Sequence, residues 1–187
     1  MGTRRLPFER LRVLFAAVVI PIVRYAQPAL IVIRRADHLR RNPGQIAFPG
    51  GLIDPSDTDE RAAALREFEE ELGLARERVR LIGRLDDVVT LARSVTVAPY
   101  VGIVEPPVVF AHDSAETASV HEIPLAELYV PGALHHGLER VARDEIAYDV
   151  PSWLFDYADL HVWGATARML ASFVVRYPSP SAALAAS

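Results

Sequence analysis

Cysteine is absent from this chain of 187 residues. Disulfide scaffolding, thiolate metal sites and a cysteine nucleophile are therefore excluded. A reducing compartment is compatible with that, and a cytoplasmic location is expected. A membrane-length apolar run is also lacking. The uncharged stretch from Val13 to Val23 follows arginines and superficially resembles a secretion leader. A bilayer span needs roughly 20 apolar residues, and Glu9 is out of place in a basic leader. Val18 to Val23 reads better as a buried strand, so no membrane association is expected. Positive charge is not in excess either. Lysine and arginine total 20 against 24 aspartates and glutamates, a net charge of -4. A general nucleic-acid binder needs a basic stripe, so nucleic acid is not an expected partner. Any bound anion must be gripped by metal ions or by local arginines.

What is present is an ordinary globular balance, with 51% hydrophobic and 24% charged residues. The length suits one domain with a substantial core. No internal repeat or long linker divides it, so residues 1–176 are expected to form a single domain. The small, polar, proline-containing tail 177–187 is expected to fray. Apolar runs place strands at Ala16–Val23, Ala29–Arg34, Val79–Val89, Val95–Val104 and Ala118–Ile123. Helical spacing places helices at Thr58–Leu72, near Leu125–Tyr129, and at Leu160–Val175. Turns are marked by Pro106–Pro107, Asp113–Ser114 and Pro131–Gly132. Interleaved strands and helices favour a layered α/β arrangement.

The helix at Thr58–Leu72 is the chemically unusual element. It carries Glu67, Glu69, Glu70 and Glu71 close together. Asp57 is a candidate N-cap, with Glu60 reaching back as in a capping box, and Gly73 is a left-handed stop. At about 100° per residue, Ala64, Leu65, Phe68 and Leu72 share one stripe, which should face the core. Glu67 and Glu71 stack four apart beside it. Glu70 borders the same face, Glu60 points the same way, and Arg66 is placed to pair with Glu70. Glu69 points elsewhere. An acidic run is most often solvated surface. Here, however, the glycine pair Gly50–Gly51 precedes the helix and permits close backbone approach. A glycine loop leading to convergent carboxylates suits a hard divalent cation such as Mg²⁺, which takes one or two carboxylates plus substrate phosphates.

The segment "REFEEELGL" (Arg66–Leu74) resembles the second half of the Nudix box, G-x5-E-x7-R-E-U-x-E-E-x-G-U, at every specified place, with Gly51 as the opening glycine. The first half departs from it. Gly51 to Arg66 is one residue longer, and the first glutamate is missing in register; Asp57 or Glu60 is the candidate substitute, and helical phase favours Glu60. Upstream, "IVIRRADHLRRNPGQIAFPGG" (Ile31–Gly51) resembles the L-L-T-x-R-[SA]-x3-R-x3-G-x-V-x-F-P-G-G element of the coenzyme A pyrophosphatase subgroup. Arg35, Ala36, Arg40, Gly44, Phe48, Pro49, Gly50 and Gly51 fit its spacing, while Ile33 replaces its threonine. "IPL" (Ile123–Leu125) and "HVWGATARML" (His161–Leu170) resemble later elements of that subgroup.

The resemblance implies a Nudix-type α/β/α sandwich around a mixed β-sheet. It also implies metal-dependent hydrolysis, with Mg²⁺ or Mn²⁺, of the diphosphate bond of coenzyme A or its derivatives. The products would be 3′,5′-ADP and 4′-phosphopantetheine or its acylated form. Glu67, Glu71 and Glu70 are the implied metal ligands. Glu70 and Glu116 are the candidates for general base, and Arg66 would hold a carboxylate in place. Arg35, Arg40 and Arg41 would meet phosphate, together with Phe48, Gly50 and Gly51. The alternatives are a Nudix hydrolase for ADP-ribose, NADH or dinucleoside polyphosphates, and a nucleotide-binding module without turnover. A monomer or homodimer is expected. His38 reads as a surface residue, His135–His136 as a loop, and Trp163 as core within the last helix.

Overall fold

The computed structural model describes residues 14–90, 95–112, 115–143 and 146–186. The expected turn at Asp113–Ser114 lies outside them, as does Glu9. The elements run β1 (Leu14–Val23), β2 (Ala29–Arg35), β3 (Ile46–Ala47), β4 (Gly50–Leu52), α1 (Glu60–Leu72), β5 (Val79–Arg84), β6 (Val88–Thr90), β7 (Val95–Val104), β8 (Thr117–Pro124), β9 (Leu134–Arg143), β10 (Ile146–Tyr157), β11 (Leu160–Trp163), α2 (Gly164–Arg176) and α3 (Pro180–Ala185). A short 3₁₀ turn at Leu125–Tyr129 stands where the short helix was expected.

The larger sheet is mixed. β1 runs parallel to β7 along its whole length, Leu14 opposite Val95 through Val23 opposite Val104. Its other edge is shared, with β2 against Ile22–Val23 and β4 against Ala16–Val18, both antiparallel. β8 extends the sheet beyond β2, β3 continues the edge of β2 that β1 occupies, and β5 and β6 pair with β7. Alternation along β1 separates two cores. Ala17, Val19 and Val23 pack with Ile31, Ile33, Phe68 and Leu72 under α1. Ala16, Val18, Ile20 and Ile22 pack with Leu30, Val32, Leu170 and Phe173 under α2. A sheet apolar on both faces and covered by a helix on each is the expected α/β/α sandwich. The smaller sheet, β9–β10–β11, adjoins the α2 layer. Among the described residues, no helix is long and apolar enough to cross a membrane.

The helix boundaries correct the sequence reading. α1 starts at Glu60, and its cap is Asp59, whose Oδ1 accepts from the Ala62 amide at 2.7 Å. Asp57, the expected cap, is used elsewhere. The stop is as expected: Gly73 is left-handed (φ 65°) and donates to the Glu69 carbonyl. Val79–Val89 is two strands. Leu85 turns inward, its amide bonded to Pro99, and separates β5 from β6. The expected helix Leu160–Val175 begins as a strand, because Leu160–Trp163 pairs with Leu154–Tyr157. Trp163 is thus a half-buried strand residue rather than helix core. His135 and His136 lie in β9, where the His136 ring stacks on Trp153 at 3.8 Å. Within the tail, α3 spans Pro180–Ala185 and buries Ala183, and Tyr177 is buried before it.

Phe68 is fully buried at the centre of the α1 layer. Phe68→Ala should therefore cost about 3–5 kcal/mol of unfolding free energy by urea titration. A loss under 1 kcal/mol would mean that α1 does not carry this core.

Candidate functional site

Among the described residues, Glu71 is the most deeply buried charge. It sits on the α1 face turned to the sheet and is only 3% exposed. Its Oε2 accepts from the Gly50 amide at 2.9 Å. Its Oε1 has no hydrogen-bond partner and faces Arg35 Nη1 at 3.7 Å. The close approach of β4 requires glycine at residue 50, and the placement of the Glu67 carboxylate requires it at residue 51. A β-carbon on Gly50 would overlap the Ala17 carbonyl and Val18, and one on Gly51 would overlap the Glu67 carboxylate. Burial pushes the Glu71 carboxyl up to about 7, with Glu67 and Glu116 adding to the shift and the Gly50 amide and Arg35 opposing it. Burial also raises Glu67, opposed by Arg66 and reinforced by Glu70 and Glu116.

Arg66 organises the outer side of the helix. It forms a fork with Asp57, Nε to Oδ1 at 3.1 Å and Nη2 to Oδ2 at 3.0 Å. Nη1 donates to Glu67 Oε1 at 2.8 Å and to Glu70 Oε2 at 3.1 Å. Nη2 also reaches the Leu52 carbonyl at 3.3 Å. The guanidinium holds the Asp57 carboxyl below its ordinary range, and Asp57 in turn fixes Arg66 in its charged form. The expected Arg66–Glu70 pair is therefore present as one limb of a larger network.

Glu60 does not converge on Glu67. Its Oε2 accepts from Arg84 at 3.1 Å and from the Tyr100 hydroxyl at 3.4 Å, toward β5 and β7. Helical phase alone suggested convergence, but a cation on the neighbouring strand outcompetes it. Counted from Gly51, Asp57 falls where the signature's first glutamate belongs, and the additional residue lies between Asp57 and Arg66.

Of these groups Arg35, Gly50, Gly51, Arg66, Glu67 and Glu70 line one open cleft of about 850 Å³, together with Arg41 and Glu116, whereas Asp57, Glu60 and Glu71 are not among its walls. Glu116 is exposed on the loop before β8, and its carbonyl is bonded to the Ala36 amide at 2.9 Å. Two expected positions read differently. Phe48 is 2% exposed and belongs to the α2-side core, so it supports the glycine loop from beneath and offers no surface to a ligand. Arg40 is exposed and does not line the cleft. His38 is on the surface, as expected. Asn42, Asp54 and Ser56 line the cleft without having been expected there; polar loop residues carry no periodic signal that would mark them.

The donor set fits a hard cation. A buried carboxylate oxygen with no partner, beside further carboxylates in an open cleft, is the chemistry that Mg²⁺ selects. Among the described residues, no three acidic or histidine side chains are gathered closely enough to enclose an ion unaided. Arg66 already engages Glu67 and Glu70, and water and substrate would complete the set.

A family profile described as "NUDIX domain" matches residues 13–144. The chain belongs to the Nudix family. It is 41% identical over 155 residues to a protein of Escherichia coli (strain K12) named "Uncharacterized Nudix hydrolase NudL", covering 83% of this chain and 78% of that one. The protein of the same name from Enterobacter sp. (strain 638) matches equally. Among solved structures, a MutT/nudix family protein from Enterococcus faecalis aligns over 98% of this chain and 70% of its own, with TM-score 0.54 and 16% identity. A C. elegans Ap4A hydrolase aligns over 62% of this chain and 82% of its own, with TM-score 0.53 and 19% identity. At such identities these two matches establish the Nudix fold alone.

The raised Glu71 carboxyl sets a testable linkage. Its folded value, about 7, exceeds its unfolded one, so its contribution is present at low pH and lost as pH rises from about 4.5 through 7. In EDTA, Glu71→Gln should gain stability relative to wild type between pH 5 and pH 8, by on the order of 2–3 kcal/mol. Thermal unfolding of both proteins at the two pH values measures this; parallel Tm shifts would contradict the burial argument.

Proposed function

We propose that this Nudix protein hydrolyses the diphosphate bond of coenzyme A and its derivatives, releasing 3′,5′-ADP and 4′-phosphopantetheine or its acylated form. One observation carries the reading: the cleft that gathers Glu67, Glu70 and Glu116 around the glycine pair also holds Arg35 and Arg41 on its wall, with Glu71 buried against Gly50 and Arg35. Carboxylates alone would repel a polyanion, and arginines alone would bind it without turnover. The upstream segment that places Arg35 and Gly44–Gly51 resembles the coenzyme A pyrophosphatase element, which favours a substrate with a third phosphate.

Glu71, Glu67 and Glu70 would hold Mg²⁺ or Mn²⁺. Bound there, the ion would offset the diphosphate charge and activate water for attack. The protein's own residues do the rest. The Gly50 amide fixes the Glu71 carboxylate, so it is preorganised for the ion. Asp57 clamps Arg66, and Arg66 orients Glu67 and Glu70. Glu116 is a general-base candidate from the opposite wall, because Glu70 is engaged by Arg66. Arg35 and Arg41 would grip phosphate by directed N–H donors.

Two measurements test this. With Mg²⁺, coenzyme A should be hydrolysed with a higher kcat/KM than 3′-dephospho-coenzyme A or ADP-ribose; either of these clearly preferred over coenzyme A would refute the substrate reading. Glu67→Gln and Glu71→Gln should raise the Mg²⁺ concentration needed for half-maximal rate. Glu116→Gln should instead lower kcat by roughly 10²-fold or more at saturating Mg²⁺, with the half-maximal concentration unchanged. A shift in that concentration for Glu116→Gln would move it into the ligand set.

A further inference from the structure

Leu52 and Ile53 line two hollows at once. One is the carboxylate cleft; the other is an apolar hollow of about 350 Å³ whose remaining walls are Leu14 and Phe15. Phe15 is 52% exposed and Leu52 39%. A single exposed apolar side chain is ordinary, but a cluster sharing walls with a polar cleft is how a binding site accepts a ligand of mixed character. The strand register fixes the direction. Val18 stands opposite Gly50 and Ala16 opposite Leu52, and the Ile53 amide then donates to the Phe15 carbonyl at 3.0 Å. The hollow is thus reached by moving along β1 away from the glycine loop. Arg35 belongs to β2 and Arg41 to the loop after it. The site is cationic toward β2, acidic at its centre and apolar toward the start of β1.

A coenzyme A molecule has the same order. Its 3′-phosphate lies on one side of the diphosphate. On the other side the first group is the pantoyl arm, whose quaternary carbon bears two methyls one carbon from the phosphate ester. With the diphosphate over Glu67 and Glu71 and the 3′-phosphate toward the arginines, that branched alkyl group falls toward β1. Resting on the coenzyme A reading above, we propose that Leu14, Phe15, Leu52 and Ile53 form the subsite for the pantoyl arm. They select an alkyl group over a ribose on that side of the diphosphate.

3′-Dephospho-coenzyme A and ADP-ribose share their ADP half and differ in that arm alone, so their ratio of kcat/KM isolates the subsite. Full burial of an alkyl group scales with its carbons. For an open hollow and a branched group of this size we expect about a tenfold preference for 3′-dephospho-coenzyme A. Phe15→Ser and Leu52→Ser should each bring that ratio toward one. Because each ratio is taken within one variant, altered folding or yield cancels. The ratio of coenzyme A to 3′-dephospho-coenzyme A, which reads the arginine side, should stay constant in Phe15→Ser. A wild-type arm ratio near one, or one unmoved by both variants, overturns the subsite while leaving the coenzyme A reading intact if the 3′-phosphate preference persists. Failure to hydrolyse coenzyme A removes both.

Discussion

The bond from the Gly50 amide to Glu71 is the interaction on which the site depends. A carboxylate 3% exposed has lost nearly all its hydration. What it receives in return is one amide at 2.9 Å and an arginine too distant for a hydrogen bond. That shortfall is expensive in a closed core. It also dictates the surroundings. α1 must approach β4 closely enough for the bond, so Ala63 and Ala64 occupy the packed face and leave bulk to Phe68 and Leu72. A side chain at residue 50 would overlap the β1 backbone, and one at residue 51 would displace the Glu67 carboxylate. Phe48, buried beneath, fixes the strand that feeds the loop. Stability is given up locally so that an oxygen remains available to a ligand.

Asp57 and Asp59 divide work that one residue was expected to do. Asp59 caps α1, accepting from Ala62. Asp57 lies outside the helix and forks onto Arg66, while its own Oδ2 also accepts from the Asp54 amide at 2.8 Å. Aspartate is a methylene shorter than the glutamate of the Nudix signature. The additional residue between Asp57 and Arg66 lets the loop bring the shorter carboxylate up to the guanidinium. The result is a bidentate pair, which fixes orientation as well as charge. Arg66 thereby presents Glu67 and Glu70 at defined positions.

The central strands, α1 and the glycine–glutamate constellation were legible in the sequence because each obeys a local rule: alternating burial for β1, helical spacing for Phe68 and Leu72, a left-handed stop at Gly73. Legibility failed where a tertiary partner outweighed the local pattern. Helical phase put Glu60 beside Glu67, but Arg84 and Tyr100 draw it to the sheet. Leu160–Trp163 has helical spacing, yet a pairing with β10 holds it as strand up to Gly164, whose positive φ (61°) starts α2. The β9–β10 hairpin carries the histidine pair, which read as loop; cross-strand pairing, which also takes in Gly137 and Pro151, overrides that reading. Phe48 matched a motif, and a motif match does not say whether a side chain points to ligand or core.

The dense glutamates of α1 resolve into separate electrostatic assignments. Glu69 pairs with Arg76 at 2.7 Å and Glu60 with Arg84 at 3.1 Å, both on the surface, where such pairs contribute little. Glu67 and Glu70 share Arg66. Each of these four carboxylates has a guanidinium within hydrogen-bonding distance. Glu71 does not, and it is the one most deeply withdrawn from water. Repulsion along the helix is thus eased at the outer glutamates, with Arg66 shared among Asp57, Glu67 and Glu70, and is strongest at the position facing the glycine loop, where Glu67 and Glu116 add to it. A solvated acidic face would spread its charge toward water. This helix pairs its outer glutamates with hydrogen-bonded guanidinium groups and leaves its most buried carboxylate the least compensated. That distribution favours whatever positive charge enters the cleft, and an incoming cation gains most by binding where the protein's own counter-ion, Arg35 at 3.7 Å, is too distant for a hydrogen bond.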